Sequence, residues 1–203
     1  MKRFLIVLTA ALFWSGMAAA QVPGDPISWL GRISNAAHKL NYTGSFTYQS
    51  GKNIETSRIA HFVDANGDEH ERLEALDGSP REVVRNHEEV QCFLPDQKLL
   101  IIDQSSARRS FPARLPQSPA ALGEHYRIRK GEVVRIAGME SQQIILEPKD
   151  DMRFGHHFWA DISSGLLLRA RIVSDKGETV EQFEFTEVTI GAPFDKEKVR
   201  PRF

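Results

Sequence analysis

The chain has 203 residues, with 26 lysine and arginine side chains against 27 aspartate and glutamate and a formal net charge of −1. That balance excludes bulk electrostatic attraction to nucleic acid. Cys92 is the single cysteine, so no internal disulfide can form, and its setting between Val90 and Phe93 reads as that of a small buried apolar side chain.

Lys2 and Arg3 begin a segment whose residues 4–14 are almost all apolar, and Ala18-Ala19-Ala20 precede Gln21. This is the pattern of a secretory signal peptide cleaved after Ala20. The apolar run is shorter than the roughly 20 residues that cross a bilayer, and no later segment comes close, so the mature chain is expected to be exported without a membrane span. Cleavage leaves 183 of the 203 residues, enough for one domain at 21–203, with 24 basic against 27 acidic side chains.

Asp25 can cap a helix and Pro26 fits its first turn, and Ile27, Leu30, Ile33, Ala37 and Leu40 follow at helical spacing. From Asn41 the period becomes two, which places Tyr42, Gly44, Phe46 and Tyr48 on one strand face. Turn signals then recur at Ser50-Gly51, Asn66-Gly67, Asp77-Gly78, Asn86-His87, Pro95-Asp96, Ala137-Gly138, Ser164-Gly165 and Lys176-Gly177. Between them the β-prone runs are 54–63, 82–85, 90–94, 98–103, 143–147, 154–161, 166–173 and 179–190. Residues 104–117 carry no strand or helix pattern, and a second helix is expected over 118–125. Hairpin-length connections without a helix–strand rhythm give a mainly β (α+β) fold: one large curved antiparallel sheet, a half-barrel, with helices covering its concave face.

Motifs for chemistry are missing: the chain has no G-x-S-x-G, Walker A, G-x-G-x-x-G or H-E-x-x-H sequence. Neighbouring His156 and His157 point to opposite faces of a strand, so they do not form a metal pair. The glutamates at 69, 71, 74, 88 and 89 read as a solvated sheet face or turns, and Arg81 and Arg85 as surface ion-pair partners. The chain is therefore expected not to be an enzyme and to need no cofactor or metal. What remains is an apolar concave face, for which Phe46, Tyr48, Phe62, Phe93, Leu100, Ile102, Phe158, Leu168 and Phe183 are the candidate ligand-lining residues, with Phe185 beside them. Most must be core, but a part of the concavity left unfilled by helices would accept a lipid chain or an apolar peptide. Arg108, Arg109 and Arg114 in the patternless loop are the candidates for an anionic headgroup.

The order of short motifs resembles the MucB/RseB family. It runs through Asn41-Tyr42-Thr43-Gly44-Ser45-Phe46, Arg58-Ile59-Ala60-His61, Glu71-Arg72-Leu73 and Leu76-Asp77-Gly78-Ser79-Pro80-Arg81-Glu82-Val83-Val84-Arg85. It continues through Cys92-Phe93-Leu94-Pro95-Asp96, Arg135-Ile136-Ala137-Gly138, Glu147-Pro148-Lys149-Asp150, Arg153-Phe154-Gly155, Trp159-Ala160-Asp161, Ser164-Gly165-Leu166-Leu167-Leu168 and Glu181-Gln182-Phe183-Glu184-Phe185. The resemblance implies a periplasmic protein whose N-terminal domain is LolA/LolB-like, a half-barrel with helices in its concavity. It further implies a negative regulator of the sigma-E (AlgU-type) envelope-stress response. Such a protein binds the periplasmic part of an RseA/MucA-type anti-sigma factor, shields it from proteolysis and responds to lipid or lipopolysaccharide.

Members of the family continue into a smaller C-terminal domain, whereas this sequence ends at Phe203, so 21–203 is expected to correspond to the N-terminal domain alone. A LolA-like periplasmic carrier of lipid or lipoprotein is the alternative. A secreted hydrolase whose catalytic groups come from distant parts of the sequence is a third.

Overall fold

The computed structural model of the chain describes residues 22–86, 89–103 and 119–203. The leader at 1–20 and the loop arginines Arg108, Arg109 and Arg114 lie outside the described residues. Helix α1 (Pro26–Lys39) leads into strands β1 (Tyr42–Ser50), β2 (Asn53–Val63), β3 (Glu69–Ala75), β4 (Glu82–Asn86), β5 (Glu89–Leu94) and β6 (Leu99–Asp103). Helix α2 (Pro119–His125) is followed by β7 (Tyr126–Ile136), β8 (Met139–Pro148), β9 (Gly155–Asp161), β10 (Leu167–Val173), β11 (Thr179–Ile190) and the short helix α3 (Lys196–Val199).

All eleven strands form one open, curved antiparallel sheet in the order β6-β5-β4-β3-β2-β1-β11-β10-β9-β8-β7. Each strand pairs with its sequence neighbour except where β1 meets β11 at the centre, so local hairpins build two wings and one long-range pairing joins them. Two expected features differ. The charged segments 69–75 and 126–136 are strands, although the only apolar alternation in them is the short Tyr126-Arg127-Ile128-Arg129.

Helix α1 forms where the sequence placed it, because the Asp25 carboxylate accepts a hydrogen bond from the Ser28 backbone N–H at 2.9 Å and Pro26 opens the first turn. Its buried face is Trp29, Leu30, Ile33, Ala36 and Ala37, while Ile27 is exposed. Trp29, Leu30 and Ile33 pack on Ile144, Leu146, Phe158, Ala160, Leu167 and Ala170, so the helix covers the concave face of β8 to β10.

The opposite, convex face of the β2–β4 wing is closed by the C-terminal segment. Phe62 is fully buried against Val199 and meets the Phe194 ring edge-on at 5.9 Å. Beside it Arg72 donates to Glu82 at 3.0 Å, to Glu74 at 2.7 Å and to the Lys198 carbonyl at 3.1 Å, and the second oxygen of Glu82 accepts from the Arg202 backbone N–H at 3.0 Å. Glu82 is 0% exposed, and this ion pair is what ties residues 198–202 to the sheet.

Candidate functional site

Register decides which side chains share the concave face, because residues directly opposite in an antiparallel pair point the same way. The two-residue turn after Ser50 pairs Ser50 with Asn53, and the regular ladder then places Tyr48 opposite Glu55, Phe46 opposite Ser57, Gly44 opposite Ile59 and Tyr42 opposite His61. Two rows continue onto the next strands: His61 to Glu71 to Arg85, and Ile59 to Leu73 to Val83. On the other side of β1, a register shift at Ser45/Phe46 re-phases β11. Phe183 and Phe185 below it and Val188 and Ile190 above it therefore all sit opposite residues of the aromatic face.

These rows enclose a cavity of about 270 Å³ on the wing that α1 does not cover. Its walls are Phe46, Phe183, Phe185, Ile59, Leu73 and Val83, with Tyr48 at the more exposed end and Tyr42 at the buried one. The rings contact one another: Phe46 and Phe183 have centroids 4.7 Å apart, Phe183 and Phe185 5.1 Å, and Tyr42 and Phe185 6.3 Å. Gly44 is required there, since a Cβ would lie 3.0 Å from the Phe185 ring and 2.4 Å from the Glu187 carbonyl oxygen.

Charged groups rim the cavity in pairs. Arg81 donates to Glu55 at 3.0 Å, an exposed contact, and Arg85 donates to Glu71 at 2.9 Å, a contact mostly out of water. The second pair corrects the reading of Arg85 and Glu71 as solvated surface charges. Below it Tyr42 stacks on the His61 ring at 4.9 Å, and burial, reinforced by the carboxylates of Glu71 and Glu69, pushes the Tyr42 phenol well above its ordinary pKa. A wider depression adjoins the mouth, sharing Glu55 and Arg81 and lined by the motif residues Asp77, Gly78, Ser79 and Pro80.

Of the sequence candidates, Phe46, Tyr48 and Phe183 line this cavity. Phe158 is on the concave face but lies under α1, filling the core of the other wing. Leu168 is fully buried beside a register shift in β10 and does not line it. Phe62, Phe93, Leu100 and Ile102 belong to the other face: Phe62 is covered by the C-terminal segment, Phe93 sits opposite Glu82, Leu100 opposite Phe93, and Ile102 opposite Gln91 in the row of Val84. The reason is parity, since each lies one residue from a position that shares the aromatic face. Tyr42, Ile59, Leu73 and Val83 were missed as cavity residues; the length of the Ser50-Gly51 turn, which fixes the β1–β2 register, was the signal that points to Ile59.

Cys92 is half-buried rather than buried. His156 and His157 do face apart, one toward Tyr126 and Phe158 and the other toward Trp159. Among the described residues no group of three or more histidine, cysteine or carboxylate side chains is arranged to hold a metal ion, and no helix is long and apolar enough to cross a membrane.

Comparison with known proteins gives a consistent result. The family model of the MucB/RseB N-terminal domain matches residues 25–203. The sigma factor AlgU regulatory protein MucB of Pseudomonas aeruginosa is 31% identical over 168 residues, covering 83% of this chain and 52% of that protein. The sigma-E factor regulatory protein RseB of Haemophilus influenzae is 26% identical over 193 residues, covering 94% of this chain and 61% of that protein. The solved complex of Pseudomonas aeruginosa MucA and MucB contains a chain with 28% identity and a TM-score of 0.72, over 87% of this chain and 60% of that one. The chain thus spans between half and two thirds of the length of these relatives.

Proposed function

Because the chain belongs to the MucB/RseB family, we propose that it is a periplasmic negative regulator of an envelope-stress sigma factor. It binds the periplasmic part of a MucA/RseA-type anti-sigma factor, shields it from proteolysis, and lets go when a lipid enters the cavity. The observation that carries this reading is the family match over residues 25–203, joined to an aromatic-walled cavity on a face that no helix fills among the described residues. The P. aeruginosa relative is a sigma-factor regulator, and MucB has been solved in complex with MucA. At about 270 Å³ the cavity is just below the usual range for ligand sites, so it takes one acyl chain rather than a whole multi-chain lipid. Each methylene buried there contributes about 0.8 kcal/mol. Linkage requires that a lipid which weakens anti-sigma binding is itself weakened by the anti-sigma factor to the same degree.

Calorimetry of residues 21–203 against the periplasmic segment of the anti-sigma factor from the same genome, with and without lipopolysaccharide, tests this. Binding that lipopolysaccharide reverses is the expected result. Lipid binding without any affinity for the segment would overturn the regulator reading for these residues and favour the carrier, for which the solvent-reaching end of the cavity at Tyr48 speaks.

A further inference from the structure

The convex face of the β7–β10 wing carries a surplus of positive charge. Register sets Arg129 opposite Ile145, Ile145 opposite His157 and His157 opposite Arg171, so the four share one transverse row. Trp159 sits opposite Arg169 in the next row, one residue from Phe158, which packs under α1. The Trp159 ring, 5% exposed, is the floor of the cluster: the guanidinium groups of Arg169 and Arg171 each lie 5.3 Å from its centroid and the His157 ring 5.9 Å. The cations are unequally balanced. Arg129 pairs with Glu147 at 2.7 Å and Arg169 with Glu184 at 2.5 Å. Arg171 has no carboxylate partner among the described residues; its Nε donates to the Gln182 side-chain oxygen, and the Gln182 amide donates to Glu184 at 3.1 Å. The two terminal nitrogens of Arg171 and both ring nitrogens of His157 make no hydrogen bond among the described residues, and none of them is enclosed, so they reach solvent. The surplus is felt locally: burial, and after it the charges of Arg171 and Arg129, hold His157 below its ordinary pKa against the pull of Glu147.

We propose that this face docks an acidic peptide in extended conformation, one carboxylate of which takes the open fork of Arg171 beside His157. The surface is on the opposite side of the sheet from the aromatic cavity and on the other wing, so it stands whether or not that cavity holds lipid. A planar guanidinium with two free terminal nitrogens matches a carboxylate, but one partly exposed ion pair holds a lone anion only weakly. A peptide adds a second contact. Arg129 lies three strand spacings away, about 14 Å, a distance that about four extended residues cover, and a carboxylate that far along the strand points the same way. Charge also selects a short segment over an anionic membrane or polyanion. The mature chain carries 24 basic against 27 acidic side chains and repels an extended negative surface, whereas the surplus at Arg171 acts within a Debye length of about 8 Å.

NMR titration of the isotope-labelled mature chain with octaglutamate tests the surface. The peptide should shift the Arg171 side-chain signals and raise the His157 pKa, and both effects should fade with added salt. Arg171→Gln should weaken octaglutamate by about three- to tenfold, the effect of one hydrogen-bonded contact, and Arg171→Lys, which keeps the charge without the fork, should fall between the two. Equal binding by wild type and Arg171→Gln, or binding that leaves His157 unmoved, would overturn the site. Inorganic phosphate that moves His157 as far as octaglutamate does would replace the peptide by a free anion. Vesicles of phosphatidylglycerol that bind the mature chain through Arg171 while octaglutamate does not would replace it by a membrane surface.

Discussion

The two wings of the sheet solve the same problem in opposite ways. On the β8–β10 wing the concave face is sealed by α1, with Trp29, Leu30 and Ile33 seated on Ile144, Phe158 and Ala170. On its convex face the guanidinium groups of Arg169 and Arg171 lie 5.3 Å from the Trp159 ring. On the β1–β4 wing the order is reversed: the C-terminal segment seals the convex face over Phe62 and Glu82, and among the described residues no helix covers the concave cavity. Dimensions explain the asymmetry. Eleven strands at about 4.8 Å spacing span roughly 48 Å, whereas a 14-residue helix is about 21 Å long and about 10 Å wide. Helix α1, with Leu122 of α2 beside it, covers one wing, and the cavity sits beyond the reach of α1 and of residues 192–203.

The comparison can be broken most sharply at the two seals. Trp29→Ala removes the largest side chain that α1 buries completely and should cost about 3–5 kcal/mol in urea unfolding. Glu82→Ala strands Arg72 without its buried partner and should cost a similar about 3–5 kcal/mol, with hydrogen exchange at residues 192–203 rising well beyond that of β1. A Glu82 variant as stable as wild type would show that the C-terminal segment is not held by this pair. Phe46→Ala sharpens the contrast, since one side of that ring already faces open volume, and about 1.5–3 kcal/mol is expected. Gly44→Ala should cost about 1–3 kcal/mol by overpacking and should shift the Phe185 ring. If Gly44→Ala leaves lipopolysaccharide binding in calorimetry intact, the Phe185 ring is not a wall of the occupied site.

Much of this architecture was legible because it is local. The cap at Asp25-Pro26 and the turn dipeptides lie within a few residues of what they control, and the alternation from Tyr42 to Tyr48 names its own face. What escaped depends on partners distant in sequence. Alternation at Phe62 separates two sets of side chains without saying which set is concave, and the segment that buries Phe62 comes from residues 192–199. β3 looked like polar turn because Glu71 and Arg72 are charged, yet each is buried against a partner on β4, Arg85 and Glu82. β7 was hard to see for another reason: it is an edge strand, the alternation Tyr126-Arg127-Ile128-Arg129 breaks at Lys130-Gly131-Glu132, and the charges that obscure it guard the edge against further pairing. The position of the cavity required knowing which wing α1 occupies, and no local pattern carries that.

The smallest expected effect lies at the seam between the wings, where the end of α1 touches β3. His38 Nδ1 is 3.0 Å from Glu69 Oε1, and Glu69 also approaches the His61 ring. Burial pushes the Glu69 carboxyl up, but the hydrogen bond from His38 and the His61 ring 3.6 Å away outweigh it and bring its pKa down to about 2. The same hydrogen bond raises His38, against the opposing effect of burial. A depressed carboxylate contributes stability above its ordinary value of 4.5 and loses it as pH falls through about 2; a raised histidine contributes below 6.5 and loses its share as pH climbs through the higher folded value. The contact is therefore strongest between 4.5 and 6.5 and loosens on the alkaline side. Both side chains are over 40% exposed, so solvent screens the pair and the whole fold should barely notice. Local opening should notice: after correction for intrinsic rates, amides in the last turn of α1 should exchange faster at about pH 8 than at about pH 6, and His38→Asn should flatten the difference. A profile unchanged by that substitution would mean that the helix end is held by the Leu40–His61 hydrogen bond of 2.9 Å rather than by the His38–Glu69 pair.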